Sequence, residues 1–171
     1  MKEFCVLETP RLNLRALSIK DWEEIAYLRS DITMNKYVSR PSARNQKEAL
    51  AFIYKIQKGI RKKELLYWSI SLKENPKMIG SICLWHFSKD KTTAEVGYDL
   101  AANQQGKGIM NEALQAIINY AFYDLQLIKI EAFTHYENSK SLSLLERNSF
   151  VLNPNRKDIG NENNIILELK A

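Results

Sequence analysis

TAEVGYDLAANQQGKGIMNEALQAIINYAFYD, residues 93–124, runs from a strand through a glycine turn into a helix. Residues 94–100 read as the strand, which ends in a polar turn. Met110, Ala113, Leu114, Ile117, Ile118, Ala121 and Phe122 recur at spacings of three and four, as on a helix with one apolar face. Between strand and helix lies Gln105-Gly106-Lys107-Gly108-Ile109-Met110. Glycines at a helix start leave backbone N–H groups uncovered, and the first-turn amides have no partner inside the helix. The helix dipole adds positive charge at the same end, so the turn is a candidate anion site, most naturally for phosphate. The competing reading is a tight loop that uses glycine only for its dihedrals.

Downstream, residues 127–134 read as a strand. Strand, helix, strand in that order implies a right-handed crossover and a parallel pair. Upstream, residues 66–72 and 78–85 form a hairpin through the turn at 73–77, and the turn at 88–91 leads into the strand carrying Glu95. Three strands joined by turns imply an antiparallel meander. Residues 11–17 alternate as a half-buried strand. Ser18 and Asp21 resemble a capping box, with Leu17 and Trp22 as its hydrophobic staple, before a helix that runs to Arg29. Residues 31–44 are irregular, and Tyr37 within them either walls a pocket or simply packs. Asn45 or Arg44 opens a second helix, which Gly59 is expected to end. Asn138 caps a helix over 139–147. Strands at 150–152 and 165–169 flank a polar excursion. The pattern is one α/β domain over residues 1–171 with a mixed sheet.

The chain has 171 residues, 45% hydrophobic and 26% charged, enough for one domain with a real core. Cys5 and Cys83 are far apart and neither begins a CxxC, which points away from a disulfide framework or structural zinc and towards a reducing compartment. An acidic third residue and no sustained apolar run argue against a signal peptide, and nothing approaches a membrane span. Net charge is +5. The densest basic run, Lys55 to Lys63, has no interleaved aromatics and reads as a solvated helix end rather than a nucleic-acid surface.

The glycine turn lacks the spacing and hydroxyl of GxxxxGK[ST], and Asn111 stands where a dinucleotide fingerprint needs its third glycine. What remains is an anion held largely by backbone amides with no magnesium ligand set. A pyrophosphate that is held rather than cleaved fits this, so the turn points to a coenzyme.

Four segments together resemble the GNAT acetyltransferase superfamily, within it the branch of ribosomal-protein N-terminal acetyltransferases and their small-molecule relatives. They are Glu8-Thr9-Pro10-Arg11-Leu12-Asn13-Leu14-Arg15, Ala94-Glu95-Val96-Gly97-Tyr98, the turn at 105–110, and Glu137-Asn138 through Leu144-Leu145-Glu146 to Phe150. Two residues depart from the pattern. Met110 stands for a small residue and Ser149 for a glycine at a turn that needs positive φ.

The resemblance implies the GNAT fold: a central mixed, mostly antiparallel sheet flanked by four helices, with strands splayed at an acetyl-CoA cleft. It implies acetyl-CoA as cosubstrate and a primary amine as acceptor, on a protein N-terminus or a small molecule. Amides of Gln105, Gly106, Lys107, Gly108, Ile109, Met110 and Asn111 would hold the pyrophosphate. Backbone groups of Tyr98 and Leu100 would hold the pantetheine arm, with Asn138 and Ser141 beside it. Glu95 is the candidate base for the attacking amine, with Gly97 keeping the nearby backbone open. Ser141 is the candidate donor to the leaving thiolate, with Tyr136 a second hydroxyl nearby. From the residues themselves, His86 is expected to pack or cap a strand end, Asp99 to be a strand-end carboxylate, and Trp22, Trp68 and Trp85 to form core and rim, with lining of the acceptor pocket by Trp68 or Trp85 as the alternative. The implied state is a cytoplasmic monomer or homodimer with no membrane or nucleic-acid partner. A non-catalytic acyl-CoA-binding regulatory module and a basic nucleic-acid-binding protein are the alternatives.

Overall fold

The computed structural model describes residues 4–38 and 40–171. The acidic third residue that argued against a signal peptide lies outside them. Eight strands and four α-helices are formed among the described residues. The strands are β1 (Leu7–Glu8), β2 (Leu12–Ala16), β3 (Leu66–Leu72), β4 (Asn75–Trp85), β5 (Thr93–Leu100), β6 (Lys129–His135), β7 (Val151–Leu152) and β8 (Asn164–Lys170). The helices are α1 (Trp22–Ser30), α2 (Gln46–Arg61), α3 (Ile109–Asn119) and α4 (Ser139–Arg147).

The strands lie in one sheet in the order β1-β2-β3-β4-β5-β6-β8-β7. Every pairing is antiparallel except β5 with β6, the pair that the crossover through α3 requires. That parallel pairing covers only Thr93–Glu95 against Lys129–Glu131. Beyond Glu95 the two strands diverge, whereas β6 stays paired with β8 along its whole length. This divergence is the expected splay.

Each face of the sheet carries its own core. Ala94 and Val96 of β5 pack with Leu114 and Ile117 of α3 and Leu145 of α4. On the other face Ile25 and Leu28 of α1 and Ile53 of α2 pack with Tyr67, Met78 and Cys83. Side chains alternate along a strand. Tyr98 and Leu100 therefore pack towards α3 and α4, while Glu95, Gly97 and Asp99 face the side of α1 and α2.

Local signals set several boundaries. The Ser18–Asp21 capping box forms, although it caps a short 3₁₀ turn that leads into α1. Asn45 and Asn138 cap α2 and α4. Gly59 does not end α2. It lies inside the helix, where an added Cβ would come 2.8 Å from Leu65. Lys63, at φ 58°, makes the left-handed exit instead, and the Glu64 amide returns to the Gly59 carbonyl. The helix begun at Ile109 closes in a π-helical turn, Tyr120–Asp124.

Candidate active site

The glycine turn has the geometry that an anion site needs. Gly106 and Gly108 sit at φ 76° and 74°, and Gly108 is the N-cap of α3, with no side chain capping the helix. A Cβ at Gly106 would meet nothing within 4 Å, so that face of the turn is open. Uncapped first-turn amides at the positive end of α3 are donors with no helical partner. Met110 is buried at 8% exposure within the core, so its bulk is turned away from the turn. Asn111 faces α4, where its carbonyl accepts from Asn148 at 2.9 Å.

The turn is held from a distance in sequence. The Arg11 guanidinium donates to the Lys107 carbonyl at 3.0 Å and to Glu112 at 2.6 Å. Glu112, in the first turn of α3, also accepts from the Thr9 hydroxyl at 2.5 Å and the Arg11 amide at 2.9 Å. Burial alone would raise the Glu112 carboxyl. The bonds from Thr9 and Arg11 outweigh it and hold the group below the ordinary carboxylate range. Family likeness alone marks Thr9 and Arg11 in the sequence.

The free edge of β5 follows from its pairing. Ala101 donates its amide to Ile79, and the Asp99 carbonyl lies over Gly80, so odd-numbered backbone groups face β4. Even-numbered ones face β6, as the Thr92 carbonyl does in accepting from Ile128. Past Glu95 no strand lies opposite Tyr98 and Leu100 among the described residues. Leu100 is partly engaged, because its carbonyl accepts from Gln105 Nε2 at 3.1 Å. Lys140 of α4 in turn donates to Gln105 at 2.9 Å across the mouth of the gap.

Glu95 stands where the splay begins, in register with Glu131 of β6 and Trp85 of β4. Its side chain is 16% exposed, and Oε2 lies 2.7 Å from His86 Nδ1. Gly97 does not open space for a ligand. A Cβ there would lie 3.2 Å from the Cys83 thiol and 3.5 Å from the Trp85 indole. Trp85 lines this face, half-exposed, while Trp68 is fully buried against Tyr120 and Phe4 and cannot line it.

On the other face of the gap, the Ser141 hydroxyl meets the Tyr98 hydroxyl at 2.8 Å, and the Asn138 side chain accepts from the Ser141 amide at 3.2 Å. Burial pushes the Tyr98 phenol up to about 12 against the opposing effect of Ser141, so both hydroxyls are neutral near pH 7. Tyr136 points elsewhere, stacked on His135 and more than half exposed. Tyr37 also meets His135, at 5.0 Å between ring centroids.

Asp99 proves to be more than a strand end. It accepts from Ser81 at 2.6 Å and from Arg40 at 2.8 Å. Arg40 also donates to Asn35 and to the Leu28 carbonyl, which ties the irregular segment to β5. The polar excursion returns Arg156 to the sheet, where it pairs with Glu131 beside Lys129 and Glu168.

Residues 11–151 match the Acetyltransferase (GNAT) domain family. The chain is 33% identical to the uncharacterized N-acetyltransferase p20 of Bacillus licheniformis, over 84% of this chain and 81% of that one. Its fold superposes on a candidate ribosomal-protein-serine acetyltransferase from Vibrio cholerae with a TM-score of 0.82, at 25% identity and full coverage of both chains. It likewise superposes on the microcin C7 self-immunity acetyltransferase MccE, solved with acetyl-CoA and AMP, with a TM-score of 0.81 at 22% identity over 95% and 94% of the two chains. The chain belongs to the GNAT acetyltransferase family, with its mixed eight-stranded sheet and four helices.

Proposed function

We propose that residues 1–171 form a transferase that moves the acetyl group of acetyl-CoA to a primary amine by direct attack. One observation carries this reading. The open anion turn and the free edge of β5 lead to a splay that begins at a carboxylate, Glu95. A pyrophosphate on the amides from Gln105 to Asn111 would send the pantetheine arm along Tyr98 and the Leu100 N–H, as an added strand would lie. The thioester then sits in the gap, with Glu95 on one face and Ser141 on the other.

An ammonium has no lone pair, so the acceptor must lose a proton before it attacks. Glu95 takes that proton, directly or through a water. An amide of β5 facing the gap polarises the thioester carbonyl, and Ser141 donates to the departing thiolate. Direct attack is supported by Cys83, the buried cysteine on this face. Burial pushes its thiol up to about 12, which leaves no thiolate to carry an acyl group. Free Cys5 and Cys83 suit a cytoplasmic site.

The acceptor is a protein N-terminus or a small amine, and a candidate ribosomal-protein-serine acetyltransferase is among the similar proteins. Met110 and Ser149, the two departures from the family pattern, lie in the core and at the exit of α4.

The test is a thiol-release screen with acetyl-CoA against short peptides, diamines and amino-acid amides. At least one class should release CoA in step with N-acetyl product. Binding of acetyl-CoA with no release across the panel overturns the transferase reading. Glu95→Gln should lower kcat/KM by roughly 10²- to 10⁴-fold with acetyl-CoA affinity intact. An unchanged pH–rate profile in that variant would remove Glu95 as the base.

A further inference from the structure

His86 is the first residue after β4, and it folds back onto the group that Trp85 faces across the ladder. Three features single it out. Its Nδ1 lies 2.7 Å from Glu95 Oε2. Its side chain is 74% exposed, while Glu95 is only 16% exposed, so the pair spans from sheltered site to solvent. Its ring stacks on the Trp85 indole at 5.1 Å and 17°.

The backbone is set to make this contact. His86 holds φ at 44°, a left-handed conformation that a residue with a side chain adopts at a cost. The turn behind it is rigid. Asp90 accepts from the Ser88 and Thr92 hydroxyls at 2.5 and 2.9 Å, and the Ser88 amide returns to the Thr93 carbonyl. The imidazole is thus delivered to one carboxylate oxygen by a strained residue on a fixed turn.

We infer that His86 is the proton exit of the active site, a positioning residue that fixes one oxygen of Glu95 and drains the proton Glu95 collects. This inference rests on the reading of Glu95 as the base. The acceptor ammonium gives one proton to the Glu95 carboxylate and becomes the amine that attacks. The carboxylic acid passes that proton to the lone pair on Nδ1 of neutral His86, which restores the carboxylate and forms an imidazolium. The imidazolium releases its Nε2 proton to solvent base, and tautomer exchange through water at the exposed ring readies it for the next turnover. One proton leaves per amide formed, and no other reactant is needed.

The test uses two variants of the full chain in the thiol-release assay, with the acceptor that the screen identifies. His86→Gly accepts the positive φ without strain and vacates the ring's space. His86→Asn tolerates the same backbone and keeps a polar contact to Glu95 but cannot carry a proton. Both should lower kcat by at least about 10-fold, a part of the 10²- to 10⁴-fold that positioned proton transfer contributes. The KM for acetyl-CoA should stay unchanged, and added imidazole should restore turnover in His86→Gly. Wild-type kcat in both variants overturns the inference, and so does a loss that imidazole leaves in place. Glu95→Gln, run in parallel, separates the two readings. If it turns over at the wild-type rate, the base assignment itself fails. If it is slow while the His86 variants are fast, only the proton exit fails.

Discussion

Tyr98 and Ser141 meet hydroxyl to hydroxyl at 2.8 Å, the point at which the free edge of β5 touches the first turn of α4. Either hydroxyl can donate in this bond. With Tyr98 held neutral by burial, the pair is a short relay of two hydroxyls rather than a charged site. Ser141→Ala should therefore lower kcat by roughly 10- to 100-fold and leave the KM for acetyl-CoA near the wild-type value. Tyr98→Phe, which keeps the serine but frees its rotor, should cost less. Steady-state kinetics on both variants check this, and an Ser141→Ala enzyme at full rate would exclude the serine as donor.

Gly106 and Gly108 make separable predictions. At Gly106 the space is open and only φ 76° opposes a side chain, so Gly106→Ala should destabilise the fold by about 1–2 kcal/mol. Gly108 caps α3, and a Cβ there would lie 3.5 Å from the Arg11 guanidinium. Gly108→Ala should also disturb the donor set, raising the acetyl-CoA dissociation constant by about 10-fold. Thermal melting and titration calorimetry separate the two effects.

Ser149 sits at φ 64° at the exit of α4, where the Phe150 amide returns to Leu145. Ser149→Gly should relieve the left-handed cost and stabilise by about 1 kcal/mol. For a chain of this size that is a rise in Tm of about 2–4 °C. Turnover at 25 °C should not change.

Glu112 predicts an acid limb in stability. Its folded carboxyl is depressed, so its contribution is complete above the ordinary glutamate value of about 4.3 and is lost as pH falls through the folded value. Urea unfolding of the wild type should weaken as pH drops below that range. Glu112→Gln should be less stable than wild type at pH 7 and should lose less on acidification. Parallel curves for the two proteins would show that the Thr9–Arg11 clasp contributes nothing.

What could be read from the sequence was local. The recurrence of apolar residues fixed α3, and Ser18, Asn45 and Asn138 announced the caps that formed. Ser149 was legible for the same reason, because a left-handed exit depends on one residue's φ. Contacts that depend on register or on distant chain were hidden. Arg11 and Glu112 are separated by about a hundred positions. His86 and Glu95 are only nine apart, but their meeting depends on how β4 pairs with β5 and on one left-handed residue. Neither leaves a periodic trace.

Gly59 shows the same limit from the other side. Gly59 resembled a helix end because glycine often is one, but packing against Leu65 is what requires it. Trp68 lies in the core, as expected of the tryptophans, and the burial of β3 between two cores excludes the alternative of a pocket wall. Gly97 is small to admit Cys83 and Trp85, which no neighbour in sequence reveals. The splay itself was expected only from family likeness, since its cause is the short β5–β6 pairing.

An interrupted sheet leaves two strand edges facing each other inside the molecule, and unpaired edges are where sheets recruit foreign strands. If the coenzyme arm occupies that gap, a metabolite completes the secondary structure. Mass action then links folding to supply: cosubstrate at 100 times its dissociation constant adds about 2.7 kcal/mol to the folded state. The chain's lifetime against proteolysis would rise and fall with the cell's acetyl-CoA pool.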